Sequence, residues 1–182
     1  NEYQIIYHGN FGAPILEEGA HVSTPVKQIS PFNDYAKAGL KGWQTYLGPT
    51  KGFDEMVFNL VPYSDAEGNT LAVLNNKAGS AGVAVGYNTK QLPVLTLWKN
   101  TDTRAQGYVT GIEPGTSYAY STKYQRPLGL VPKIQPGETK TFDLTYRLLR
   151  NGEEVKQALA QVDKIQAGRP TELREQPLVK LP

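Results

Sequence analysis

Thr141-Phe142-Asp143-Leu144-Thr145-Tyr146-Arg147-Leu148 alternates polar and apolar side chains without a break. Successive side chains of a strand point to opposite faces. Phe142, Leu144, Tyr146 and Leu148 therefore share one face, and Thr141, Asp143, Thr145 and Arg147 the other. Residues 139–149 are predicted to form a half-buried antiparallel strand, entered through the turn Pro136-Gly137-Glu138. After Asn151-Gly152 the period changes. Val155, Ala158, Leu159, Val162 and Ile165 fall on one helical face, and Glu153 and Glu154 sit in the first turn, where the helix dipole favours negative charge. Gly168-Arg169-Pro170 ends this helix.

Upstream, residues 56–61 and 70–75 read as a hairpin joined by Asp65-Ala66-Glu67-Gly68-Asn69. Residues 81–87 and 92–98 are two further neighbouring strands. Residues 106–113 are another, which Pro114-Gly115-Thr116-Ser117 is expected to break. Residues 3–7 form an apolar strand, and residues 20–29 a second one in which Pro25 marks an edge or bulge. Residues 31–42 read as loop with a helical turn at 34–38, residues 43–52 as loop, and residues 118–130 show no clear period. Short strands joined by Gly/Pro turns, with one late helix, predict an all-β antiparallel sandwich. The absence of strand–helix alternation excludes a doubly wound fold. The domain is expected over residues 1–168, with 169–182 as a polar tail.

A chain of 182 residues with 39% apolar side chains is long enough to bury a core. Eighteen glycines, thirteen prolines and eleven tyrosines favour turns and strands over helices. The formal charge is +2 with scattered Lys and Arg, which argues against a nucleic-acid surface. No run of eighteen apolar residues offers a helical membrane span. Without cysteine there is no disulfide, thiol catalysis or thiolate metal site. The opening Asn1-Glu2-Tyr3 is read as a processed end or as the start of a piece of a longer protein. The compartment is expected to be cytoplasmic, with the periplasm as the alternative.

Acid/base chemistry has few places to sit in a chain with two histidines. His8, in His8-Gly9-Asn10-Phe11-Gly12, and Glu113, in Ile112-Glu113-Pro114-Gly115, each end an apolar strand and are followed at once by a residue that turns the backbone. An imidazole there can exchange a proton near neutrality, and a partly buried carboxyl has its pKa raised toward that range. The alternatives are a strand-end histidine bonded to a carbonyl and a structural salt bridge. Trp98, in Leu97-Trp98-Lys99-Asn100, offers a face on which a sugar ring can stack, with Lys99 beside it to bond hydroxyls; ordinary core filler is the other reading. Asp54 and Glu55 are candidate acidic contacts, Arg126 a candidate for orienting a carboxylate or hydroxyl, and His21 is read as structural. No His-x-His or His-Glu-x-x-His spacing announces a metal, so no metal or cofactor is expected.

Several stretches together resemble the DUF4432 family. They are residues 7–19 from Tyr7-His8-Gly9 to Glu18-Gly19, then Gly52-Phe53-Asp54-Glu55-Met56-Val57-Phe58, then Leu92-Pro93-Val94-Leu95-Thr96-Leu97-Trp98-Lys99-Asn100, then Tyr108-Val109-Thr110-Gly111-Ile112-Glu113-Pro114-Gly115. With Pro136-Gly137-Glu138 following in order, the resemblance spans residues 3–149. That family is similar to aldose 1-epimerases, or galactose mutarotases, and the resemblance implies their β-supersandwich fold.

It also implies a chemistry. Such enzymes use a histidine as acid on the ring oxygen and a glutamate as base on the anomeric hydroxyl; the matching positions are His8 with Phe11, and Glu113 in Ile112-Glu113-Pro114. Asn10, Asp54, Glu55, Trp98, Lys99 and Arg126 are then expected to contact the sugar. The partner is a small sugar, and no cofactor is needed. Mutarotases are longer, and their N-terminal strands supply an arginine and a further histidine, so this chain is expected to lack that portion. The leading expectation is anomer interconversion; a carbohydrate-binding domain without turnover, or another sugar isomerase or lyase, are the alternatives. The acid and base are expected on opposite edges of one pyranose-sized hollow, within roughly 10 Å of each other.

Overall fold

The computed structural model describes residues 1–180; Leu181 and Pro182, the end of the expected tail, lie outside the described residues. Among the described residues ten strands run in the order β1 (Gly9–Phe11), β2 (His21–Ser23), β3 (Val26–Pro31), β4 (Met56–Pro62), β5 (Asn69–Asn75), β6 (Gly82–Asn88), β7 (Val94–Asn100), β8 (Val109–Gly115), β9 (Leu144–Leu149) and β10 (Glu172–Leu173). Two α-helices, α1 (Thr122–Gln125) and α2 (Gly152–Gln166), flank β9 in the chain. The strands form a six-stranded sheet, ordered β1-β8-β7-β4-β3-β10, and a four-stranded sheet, ordered β2-β5-β6-β9.

Alternation along the strands divides the side chains between two layers. Phe58 and Leu60 of β4, Leu95 and Leu97 of β7 and Ile112 of β8 point one way. They join Val22, Leu74, Val83 and Val85 of the smaller sheet in one buried apolar cluster. Each such side chain removed from water contributes roughly 1.5–3 kcal/mol before entropy is counted. The other face of the smaller sheet, with Leu71, Val73, Ala84 and Leu149, is covered by Val155, Ala158 and Val162 of α2. This is the helical face expected from the sequence. Asn151 caps α2, its side-chain oxygen accepting from the Glu154 N–H at 2.9 Å. The outer face of the larger sheet is left for other uses.

Several expectations are corrected. Strands β4 and β5 are not a hairpin and β6 and β7 are not neighbours, because in each case the connecting turn carries the chain from one sheet to the other. Residues 20–29 are two strands in different sheets, since Thr24-Pro25 breaks the run and the chain crosses from one sheet to the other. Residues 3–7 form no strand and make one β-bridge, Ile6 with Gly115, and the first strand comes later, at Gly9–Phe11. Pro114 does not end β8. It sits opposite Leu95, and its carbonyl accepts from the Tyr7 N–H at 3.0 Å, so the strand continues to Gly115. Strand β10 runs parallel to β3, so the larger sheet is not purely antiparallel.

The single late helix is also too few. A 3-10 helix covers Tyr35–Gly42, and α1 followed by a 3-10 turn at Arg126–Leu128 fills the stretch that had no period. The fold is therefore mixed, with two sheets and several helical segments, rather than all-β. Strand β9 begins at Leu144 and lies at a sheet edge, where Tyr146 is 51% and Leu148 70% exposed. Its alternation is as read, but its apolar face is only partly covered. No described helix is long and apolar enough to cross a membrane.

Candidate functional site

Because Ile112 points into the core, its neighbours Gly111 and Glu113 on β8 point to the outer face of the larger sheet. On one side β1 pairs with β8 with Gly9 opposite Ile112, and the same register carried one residue further sets His8 against Glu113. On the other side Glu113 is opposite Thr96 of β7, Thr96 opposite Asn59 of β4, and Asn59 opposite Ser30 of β3. One straight line across the sheet thus reads His8, Glu113, Thr96, Asn59, Ser30.

His8 Nε2 lies 3.1 Å from Glu113 Oε1, with the imidazole 53% exposed and the carboxyl only 3%. The distance is that of an ion pair, although Oε1 receives no well-aligned hydrogen bond, and the two groups stand side by side rather than on opposite edges of the hollow as expected. Burial pushes the Glu113 carboxyl up to about 7, the nearby His8 pulls it down, and Glu55 adds to the rise. Behind the imidazole, Nδ1 is 2.8 Å from Asn10 Oδ1. The Trp98 ring meets His8 edge-on at 5.5 Å between centroids, and its indole N–H donates to Glu55 Oε2 at 2.7 Å. Asp54 accepts from the Glu55 N–H and so shapes the turn that presents Glu55.

Gly111 makes the arrangement possible. A Cβ there would overlap the Glu113 carboxylate, so the bare backbone is what lets that side chain lie over the strand beside His8 and Trp98. The cavity so formed has a volume of about 390 Å³ and is lined by His8, Glu55, Val57, Thr96, Trp98 and Glu113, with Ile6, Phe32 and Ala119 completing its wall. A larger hollow of about 770 Å³ opens between α2 and the smaller sheet. It holds no histidine and no buried carboxyl, so the chemistry favours the smaller one.

Of the six expected sugar contacts Glu55 and Trp98 line the cavity, Asn10 and Asp54 stand behind His8 and Glu55 without lining it, and Lys99 and Arg126 are elsewhere. Lys99 lies on the opposite side of β7 from Trp98, inside the protein. Its Nζ donates to the carbonyls of Trp43 at 2.9 Å and Thr45 at 2.6 Å and sits 4.3 Å from the centre of the Tyr46 ring. Adjacent strand residues cannot share a face, which is why Trp98 and Lys99 part. Arg126 is at the surface, paired with Glu2 at 2.8 Å. His21 approaches Thr45 Oγ1 at 3.4 Å, away from the cavity. The sequence reading missed Thr96, Gly111 and Phe32. Parity with Trp98 and Glu113 along β7 and β8 was the available signal for the first two. Among the described residues no three His, Asp or Glu side chains gather in a metal-binding group.

Residues 1–148 match the family model described as "Domain of unknown function (DUF4432)". No curated protein matches the chain. A crystal structure at 1.90 Å of a "putative aldose 1-epimerase" from Klebsiella pneumoniae subsp. pneumoniae MGH 78578 is similar over 99% of this chain, at 57% identity and a TM-score of 0.97. This chain covers 47% of that protein and so spans about half its length. By the family match and this close relative, the chain belongs to the DUF4432 family.

Proposed function

We propose that this chain carries the acid/base centre of an aldose 1-epimerase-like isomerase acting on a small sugar, with its two sheets forming part of a larger supersandwich. The observation that carries the reading is the 3.1 Å contact between His8 Nε2 and Glu113 Oε1 at the edge of a cavity that also holds Trp98. In a cyclic hemiacetal the anomeric hydroxyl oxygen and the ring oxygen are both bonded to C1. An acid and a base that serve them can therefore stand side by side rather than across the ring.

The Glu113 carboxylate takes the proton from the O1 hydroxyl. The C1–O5 bond breaks as C1–O1 becomes a carbonyl, and His8 gives the Nε2 proton to O5. A base whose pKa lies near 7 is well matched to this transfer at neutral pH. Rotation about C1–C2 and the reverse transfers close the ring with either configuration. Trp98 supplies an aromatic face for the C–H side of the sugar.

NMR exchange spectroscopy on equilibrated glucose and galactose tests this. Anomer interconversion faster than the spontaneous rate is expected, with Glu113→Gln reducing the acceleration by about 100-fold or more. Sugar binding with no acceleration would replace this reading with that of a carbohydrate-binding domain.

A further inference from the structure

The line that begins with His8 and Glu113 continues through Thr96, Asn59 and Ser30, and all three are 1% exposed. Thr96 Oγ1, Asn59 Oδ1 and Ser30 Oγ have no hydrogen-bond partner. Leaving such an atom unpaired in the interior costs about 1–3 kcal/mol. Other buried threonines avoid this: Thr24 donates to the Leu71 carbonyl at 2.9 Å and Thr110 to the Trp98 carbonyl at 2.7 Å. Thr70 and Thr101 also lack a partner but lie away from the cavity of the acid/base pair. Three unpaired oxygens in one register line, continuous with that pair, form a polar strip that the protein itself does not satisfy.

Of the three, Thr96 alone lines the cavity. Asn59 donates its amide to the Tyr120 hydroxyl at 2.9 Å, and the Tyr120 ring lies flat on Phe32, with centroids 4.3 Å apart and planes 9° from parallel. Phe32 is part of the cavity wall, so this ring pair bounds the cavity beyond Thr96.

We infer that the Thr96 hydroxyl binds the 2-hydroxyl of the sugar and sets the substrate class as 2-hydroxy aldoses. The inference rests on the anomer-interconversion reading for its assignment of atoms. C1 carries O1, and its ring neighbours are O5 and C2. Across the sheet the order is His8, then Glu113, then Thr96. With His8 at O5 and Glu113 at O1, the C2 side of the anomeric carbon faces away from His8, and Thr96 stands there. Directly opposed residues on neighbouring strands hold their Cβ atoms about 4.5–5.5 Å apart, within the span needed to bond neighbouring hydroxyls of one ring. A threonine hydroxyl both donates and accepts, so it can bond O2 in either sense.

The probes are D-glucose with 2-deoxy-D-glucose and D-galactose with 2-deoxy-D-galactose. Turnover is read as acceleration over each sugar's spontaneous rate, and binding is read separately by NMR titration of the Glu113→Gln protein. In at least one pair the 2-hydroxy sugar is expected to be handled roughly 10–100-fold better than its 2-deoxy partner. Thr96→Val, close in shape and equally suited to a strand, should erase most of that preference, while Thr96→Ser should keep it. Thr96→Val should also melt no lower than the parent, since it removes an unpaired hydroxyl. Equal handling within both pairs, no binding of any probe, or a preference that survives Thr96→Val overturns the inference. Selective binding without acceleration would keep the Thr96 role and remove the isomerase reading; acceleration without selectivity would do the reverse.

Discussion

Asn10 places its side-chain oxygen 2.8 Å from His8 Nδ1, on the far side of the imidazole from Glu113. A carbonyl oxygen accepts, so Nδ1 carries a hydrogen and Nε2 is the nitrogen left to exchange a proton at the cavity. Asn10→Ala frees the ring to turn and to take the other tautomer. The expected result is a fall in kcat of about tenfold with an unchanged melting temperature, checked by NMR exchange kinetics beside a thermal melt.

Gly111→Ala places a methyl group where the Glu113 carboxylate lies. The backbone at Gly111 is ordinary strand, so the fold tolerates the change, but the carboxylate must swing away from His8. Anomer exchange is expected to drop by on the order of 100-fold, with a stability loss of about 1–2 kcal/mol from the displaced side chain. A denaturant melt and a turnover assay on the same sample separate the two effects.

Burial holds the Glu113 carboxyl at about 7 against the pull of His8, while in the unfolded chain it titrates near 4.5. Between those values the folded protein binds more protons than the unfolded one. Stability from this group is therefore greatest below about 4.5, declines as pH rises to about 7 and is level above it. Glu113→Gln has no such decline and should gain roughly 1–3 kcal/mol on the parent between acid and mildly alkaline pH. Activity runs the other way, rising through about 7 as the carboxylate forms. Denaturation curves and exchange rates across pH test both directions.

Lys99 is pushed down to about 8 by burial, from an ordinary value of 10.5. The unfolded chain then holds this proton over a range in which the folded chain has released it, so stability contributed here grows as pH climbs from about 8 to 10.5. Lys99→Met removes that slope. Lys99→Ala also strips the Trp43 and Thr45 carbonyls of their donor and opens a gap beside Tyr46, for an expected loss of about 2–4 kcal/mol at neutral pH by denaturant titration.

Much of this was legible in the chain because local pattern determines it. The helical face of Val155, Ala158 and Val162 follows from periodicity, and the scarcity of protonatable side chains singles out His8 and Glu113. What was not legible depends on pairing at a distance. That Thr24-Pro25 carries the chain between sheets depends on where β4 and β5 lie. That β8 runs through Pro114 depends on Tyr7 donating to its carbonyl. The placement of Lys99 was within reach, since strict alternation puts it with Leu95 and Leu97 in the core and not with Trp98. Thr96 shares the parity of Trp98 along β7, but nothing in the sequence sets it apart from the other strand threonines. Its importance comes from facing Glu113 across a strand boundary and from the missing partner for its hydroxyl.

Strand β9 shows Tyr146 and Leu148 to water, and among the described strands it has a neighbour on one side only. A free rim of unpaired amides with oily side chains beside it is a template for adding another strand. In concentrated solution the 182-residue polypeptide should therefore tend to pair edge to edge with a second copy. Leu148→Lys, a charge placed on that rim, is the substitution that would keep it dispersed while leaving the cavity of His8 and Glu113 alone.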